Sequence, residues 1–177
     1  PRCWHTDQKG TACGHGITSQ SATQILDQVF QLPEGTKLMI LAPVIRGKKG
    51  HHRELFDALA RQGFVRARVD GEVLDLRQIT KIRGGTPFVT KTQRYQAHTI
   101  EAVIDRIVIG RDQNTDGADQ VRTRVADSIE LSLKLADGLV VVSVADESRT
   151  RGRRPKTVRL EWRDTLFSEK HACPQHP

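Results

Sequence analysis

The sequence is poor in aromatic residues, sulfur and long apolar runs. Only 5% of its 177 residues are Phe, Trp or Tyr, with a single Tyr and a single Met, which leaves little for a base-stacking surface. No apolar run approaches the roughly 18 residues of a membrane-spanning helix. The opening Pro-Arg-Cys-Trp-His has no apolar leader segment and no initiator Met, so it reads as a piece cut from a longer chain. Cys3, Cys13 and Cys173 make an odd number gathered at the two ends. That is a poor disulfide framework and suits a reducing cytoplasm, with thiols free or on a metal.

Catalytic motifs are missing too. A phosphate loop needs GxxxxGK[ST], because several backbone N–H groups must converge on the phosphates while a hydroxyl reaches the metal. The stretch "RGKKGHH" lacks both the spacing and the hydroxyl and reads as a basic helix-entry loop. GxSxG, HExxH and a two-cysteine CxxC are absent, so nucleophilic and metal-hydrolytic chemistry have no seat here. His51-His52 would make a metal pair only if the fold supplied further ligands.

What is present is charge, unevenly placed. Residues 77–97 carry Arg77, Lys81, Arg83, Lys91 and Arg94 without an acid, and residues 148–160 carry Arg149, Arg151, Arg153, Arg154, Lys156 and Arg159, again without one. These eleven cations exceed the net charge of +7, so the rest of the chain is mildly acidic. Two basic excursions, 77–97 and 145–160, attract polyanions or solvate loops. Arg83, Lys91, Arg94, Arg151, Arg153 and Arg154 are the candidates for contact with a nucleic-acid backbone.

Hydrophobic periodicity gives the elements. Ser21-Ala-Thr-Gln24 has the form of a capping box, and Ala22, Ile25, Leu26, Val29 and Phe30 mark one helical face. "LMILAPVI", residues 38–45, reads as a strand buried on both faces, followed by a loop over 46–52. Leu55, Phe56, Leu59 and Ala60 mark a second amphipathic helix closed by Gly63. "QGFVRARVDGEVLDL" reads as a hairpin turning at Asp70-Gly71, with Val65, Ala67 and Val69 on one face and Phe64, Arg66 and Arg68 on the other. Residues 98–109 form a long strand with Ile100, Ala102, Ile104 and Val108 on one side. Arg106 falls among them, at the rim or reaching a partner, while Glu101 and Asp105 face the other way. Val121, Val125, Ile129 and Leu133 step along a third helix, "LVVVSV" is a second buried strand, residues 145–156 are a loop, and 157–162 form a weak edge strand. The expected fold is mixed α/β, close to α+β, with one sheet covered by helices and two basic loop excursions.

Several segments together resemble the UvrA family of nucleotide excision repair ATPases: "LPEGTKLMILAPVIRGKKGHHRELFDALARQGFVRARVDGEVLDL", "HTIEAVIDRIVI", "VADSIELSLKLADGLVVV" and "LFSEKHACP". The resemblance is to the segment inserted into the first ATPase half, whose central part binds UvrB. It implies a connector over 1–18, a UvrB-binding-like interaction domain over 19–165, and a connector over 166–177 leading to a zinc module. ATP hydrolysis would then belong to the parent protein and not to this segment. The Arg66 of "GFVRAR" and the Arg106 of "VIDRIVI" match positions where the family offers cations to acidic groups of UvrB, and Arg68 shares the Arg66 face. The spacing of Cys173-Pro-Gln-His176 suits half a zinc site, although the family usually has C-P-x-C there. Cys3 and Cys13 stand where a closer pair is usual, and both basic excursions exceed the family's usual length.

Overall fold

The computed structural model describes residues 19–77, 95–110, 115–146 and 161–170. Helix α1 (Ala22–Val29) starts where the capping box places it. Gln24 N–H donates to Ser21 Oγ at 3.3 Å and Ser21 N–H to Gln24 Oε1 at 3.0 Å, so two of the N–H groups a helix start leaves open are satisfied. Strand β1 (Lys37–Lys49) follows, then α2 (Arg53–Arg61), β2 (Arg66–Val69), β3 (Glu72–Asp75), β4 (Ala97–Val108), α3 (Thr115–Leu135), β5 (Leu139–Asp146) and β6 (Glu161–Ser168).

The six strands form one sheet in the order β3-β2-β4-β1-β5-β6, with every neighbouring pair antiparallel. With three helices this is the mixed α/β fold the patterning implies. β1 lies at the centre, and its burial follows the unbroken apolar run, Leu38 to Pro43 being buried. Pro43 offers no N–H to a ladder, and it sits at a register shift against β4, where a proline is tolerated in a sheet. The expected loop over 46–52 is shorter than foreseen, because β1 continues through Lys49 opposite His98 and Ala97. The edge strand runs further than expected, to Ser168, as β6 pairs with β5 from Glu161 to Ser168; residues 157–160 of that expectation lie outside the described residues.

The Asp70-Gly71 turn takes positive φ at both positions, 49° and 86°, the geometry whose twist matches a two-residue hairpin. Gly63 (φ 93°) follows α2 in the left-handed conformation that ends a helix without a Cβ penalty.

One sheet face is covered. Ile25, Leu26 and Val29 of α1 and Val125, Ile129 and Leu133 of α3 pack on Leu38, Ile40, Val140 and Val142. Phe56 and Leu59 of α2 pack on Ala42, Ala67, Val69, Ile100 and Ala102. Burying each larger aliphatic side chain stabilises the fold by about 1.5–3 kcal/mol. α3 lies close enough for the buried Ser132 hydroxyl to donate to the Leu41 carbonyl at 3.0 Å. On the opposite face Met39, Leu41, Val103 and Val141 form a smaller cluster against Trp162 and Leu166 of β6. Among the described residues, no helix is long and apolar enough to cross a membrane.

Candidate functional site: an arginine-lined cleft at the parting of two strands

Strands β2 and β4 pair only briefly, with Ala67 opposite Ala102, Arg68 opposite Glu101 and Val69 opposite Ile100. Before Ala67 the two strands part. The gap is an open cleft of about 340 Å³, walled by residues 63–66 on one side and 103–106 on the other, with Arg124 of α3 completing it.

A bulge aims the second wall. Ile40 pairs with Asp105 but Leu41 pairs with Val103, so Ile104 is the extra residue and the side-chain alternation of β4 inverts there. This corrects the expected facing of β4. Arg106 does not share a side with Ile100, Ala102 and Ile104; it lies opposite Met39 on the face away from the helices, and it is exposed. Glu101 and Asp105 are likewise separated. Glu101 stays beside Arg68, while Asp105 turns to the helices.

Asp105 organises the cleft floor. Arg124 donates to it through Nε and Nη2, both at 2.6 Å, and the Arg106 backbone N–H donates at 2.7 Å. The bonds and charge of Asp105 hold the Arg124 guanidinium above its ordinary pKa, so it remains a cation. The lining therefore counts three guanidinium groups, Arg66, Arg106 and Arg124, against one carboxylate. Arg66 is exposed, and neither it nor Arg106 forms an ion pair among the described residues.

Arg68 behaves differently from Arg66, two residues away. It is 6% exposed. Its Nη2 donates to Glu101 Oε1 at 2.8 Å and its Nε to the other oxygen of the same carboxylate, while Nη1 reaches Asp164 at 2.9 Å. Ser143 Oγ donates to the same Asp164 oxygen at 2.5 Å. Burial alone would depress the Arg68 pKa, but the bonds and charges of Glu101 and Asp164 outweigh it and raise the value. The outward face expected for both arginines thus holds for Arg66 alone, and Arg68 is spent on tying β2 to β4, β5 and β6.

Arg124 was not singled out from sequence, and Asp105 was read there only for its facing on the strand, not as part of a site. Nothing in their spacing marks them, because the bulge and the α3 contact that bring them together are both long-range. The nucleic-acid candidates Arg83, Lys91, Arg94, Arg151, Arg153 and Arg154 lie outside the described residues, as do Cys3, Cys13, Cys173 and His176. Among the described residues no three His, Cys, Asp or Glu side chains gather as a metal site.

The fold is a mixed α/β domain, an antiparallel sheet backed by helices with an open cationic cleft where two strands part. Residues 20–146 match the UvrA interaction domain family. The chain belongs to that family. It is 42% identical over 161 residues to the UvrABC system protein A of Clostridium perfringens, covering 91% of this chain and 14% of that protein. It is 39% identical over 162 residues to the protein of the same name from Streptococcus pneumoniae serotype 4, with the same coverage. The chain thus spans about one seventh of the length of these relatives.

Proposed function

We propose that this chain is the docking domain through which a UvrA-type repair ATPase recruits UvrB to damaged DNA, with Arg66 and Arg106 as its contact residues. The observation that supports this most directly is that two arginines from separate motifs line one cleft, exposed and without ion pairs among the described residues. Guanidinium groups carried on strands are held more firmly than on loops, and their planar forks pair bidentately with carboxylates. ATP hydrolysis is assigned to other parts of such a protein, since this sequence carries no phosphate-loop motif.

Co-elution with UvrB tests the reading. The unaltered chain is expected to co-elute, and Arg66→Ala and Arg106→Glu to weaken the complex, by roughly 2–5 kcal/mol where the lost charge pair is desolvated and by much less at a rim. Unchanged binding in both variants removes these arginines from the function. Contact with the DNA backbone through 77–97 and 145–160 is a second reading, favoured by the acid-free cation runs within those segments.

A further inference from the structure

We infer that Arg124 is a third docking residue, held by Asp105 so that one guanidinium binds its own carboxylate and a carboxylate of an acidic partner segment at once. This rests on the docking role proposed for the cleft and deepens it. The geometry carries the inference. A guanidinium has five N–H groups, and Asp105 engages Arg124 only through Nε and one edge of Nη2. The Nη1 edge is left for a second acceptor. The Arg124 side chain is 62% exposed despite its ion pair, whereas that of Asp105 is 16% exposed, so the pair presents its cationic half to the cleft and withdraws its anionic half.

Asp105 also holds the strand beside it, since its Oδ1 accepts both the Arg124 Nη2–H and the Arg106 backbone N–H. One carboxylate thereby ties the Arg124 guanidinium of α3 to the β4 backbone at Arg106, which restrains Arg124 at the cleft wall and lowers the conformational cost of its binding an anion. Ser128 Oγ donates to the Arg124 carbonyl at 2.8 Å and reaches Asp105 at 3.5 Å, so the helix side of the pair is occupied by its own element. On α3 itself Asp119 and Asp127 flank Arg124, one before it and one after it in the chain. These carboxylates repel an acidic segment along the helix, so such a segment meets Arg124 from the cleft side, where Arg66 and Arg106 lie. The ligand class is therefore a carboxylate-bearing stretch of protein.

The test is titration calorimetry of this chain with UvrB at two salt concentrations. Four variants are compared with the unaltered chain: Arg66→Ala, Arg124→Ala, the double variant Asp105→Asn with Arg124→Ala, and Arg122→Ala. Arg122 is an α3 arginine outside the cleft, paired with Asp27 and lying over the Phe30 ring, so its loss changes the charge equally without touching the site. Arg124→Ala is expected to raise Kd by about tenfold or more and to reduce the salt dependence, while Arg122→Ala does neither. The double variant leaves no bare carboxylate in the cleft, and Asn still accepts the Arg106 N–H. It is expected to stay weakened. Affinity restored in the double variant would show that Arg124 only neutralises Asp105, and would overturn the inference. So would Arg124→Ala binding like the unaltered chain while Arg66→Ala is weakened, an outcome that leaves the docking function standing. Loss of effect in every cleft variant, or no binding by the unaltered chain, would sink both.

Discussion

Arg68 and Glu101 stand opposite one another on β2 and β4, each 6% exposed, with the guanidinium donating to both carboxylate oxygens. Asp164 closes the arrangement from β6 at 2.8 Å from Nη2, and its side chain is 45% exposed. One side chain thus spans the sheet from its second strand to its last. Such a pair costs desolvation when it forms, so its net contribution to stability is small, but removing one member leaves a buried charge without its counter-ion.

Arg68→Met is accordingly expected to destabilise the fold by about 3–5 kcal/mol, the usual penalty for stranding half of a buried pair. Arg66→Ala, exposed on the same strand, is expected to stay within about 0.5 kcal/mol. Adding Glu101→Leu to Arg68→Met removes the stranded carboxylate and should recover most of the loss, since Asp164 keeps access to water. Urea melts of the four proteins check this. Equal destabilisation by Arg66→Ala and Arg68→Met would contradict the division of roles between them.

The turn between β2 and β3 carries a pH-sensitive contact. Asp70 Oδ2 lies 2.7 Å from His98 Nδ1, and its other oxygen accepts the Thr99 N–H at 2.8 Å. Partial burial works against the ionised carboxylate, but these bonds and the charge of His98 outweigh it and hold the Asp70 pKa below its ordinary 3.8. A depressed carboxylate pKa stabilises the folded state above the unfolded value, and that contribution is lost as pH falls through the folded one. Asp70→Asn keeps a residue that tolerates the left-handed turn conformation and is expected to flatten the loss of stability below about pH 3.8, the unfolded-state value. Denaturant melts across pH 2 to 7 measure it, and identical slopes for both proteins below pH 4 would remove Asp70 from the acid transition.

How much of this was legible in the sequence follows from the range of the interactions involved. The capping box at Ser21 and Gln24, the Asp70-Gly71 hairpin and the α3 stripe from Val121 to Leu133 are local patterns, and the structure has all three. The facing of Arg106 was not legible. A strand's alternation can be read only until a bulge inserts a residue, and the extra Ile104 is set by how β4 meets β1, not by any residue near it. Arg68 and Arg66 look alike from sequence because both fall on one face of a short strand. What separates them is the company across the sheet: Glu101 and Asp164 arrive beside Arg68 from remote parts of the chain, while the parting of β2 from β4 leaves Arg66 beside open space. Arg124 was invisible for the same reason, its partner Asp105 belonging to another element.

The basic segments make a separate prediction, on DNA. Eleven cations in two acid-free runs are enough to bind a duplex weakly through phosphates, and the scarcity of aromatic residues argues against base stacking as the source of any affinity. Backbone binding releases counter-ions, so affinity falls with a log–log slope of about −0.9 per phosphate contacted. With about six contacts, raising salt from roughly 50 to 200 mM would weaken binding about a thousandfold. Replacing Arg151, Arg153 and Arg154 together by Gln should flatten that slope by nearly three while leaving the UvrB titration unchanged, as expected of a partner that docks through Arg66, Arg106 and Arg124. Fluorescence anisotropy on a random-sequence duplex at several salt concentrations reads both quantities. An unaltered slope in the triple variant would exclude this run from DNA contact. Loss of UvrB binding in the same variant would instead extend the partner's footprint beyond the cleft, and the separation between the cleft and the basic run would fail.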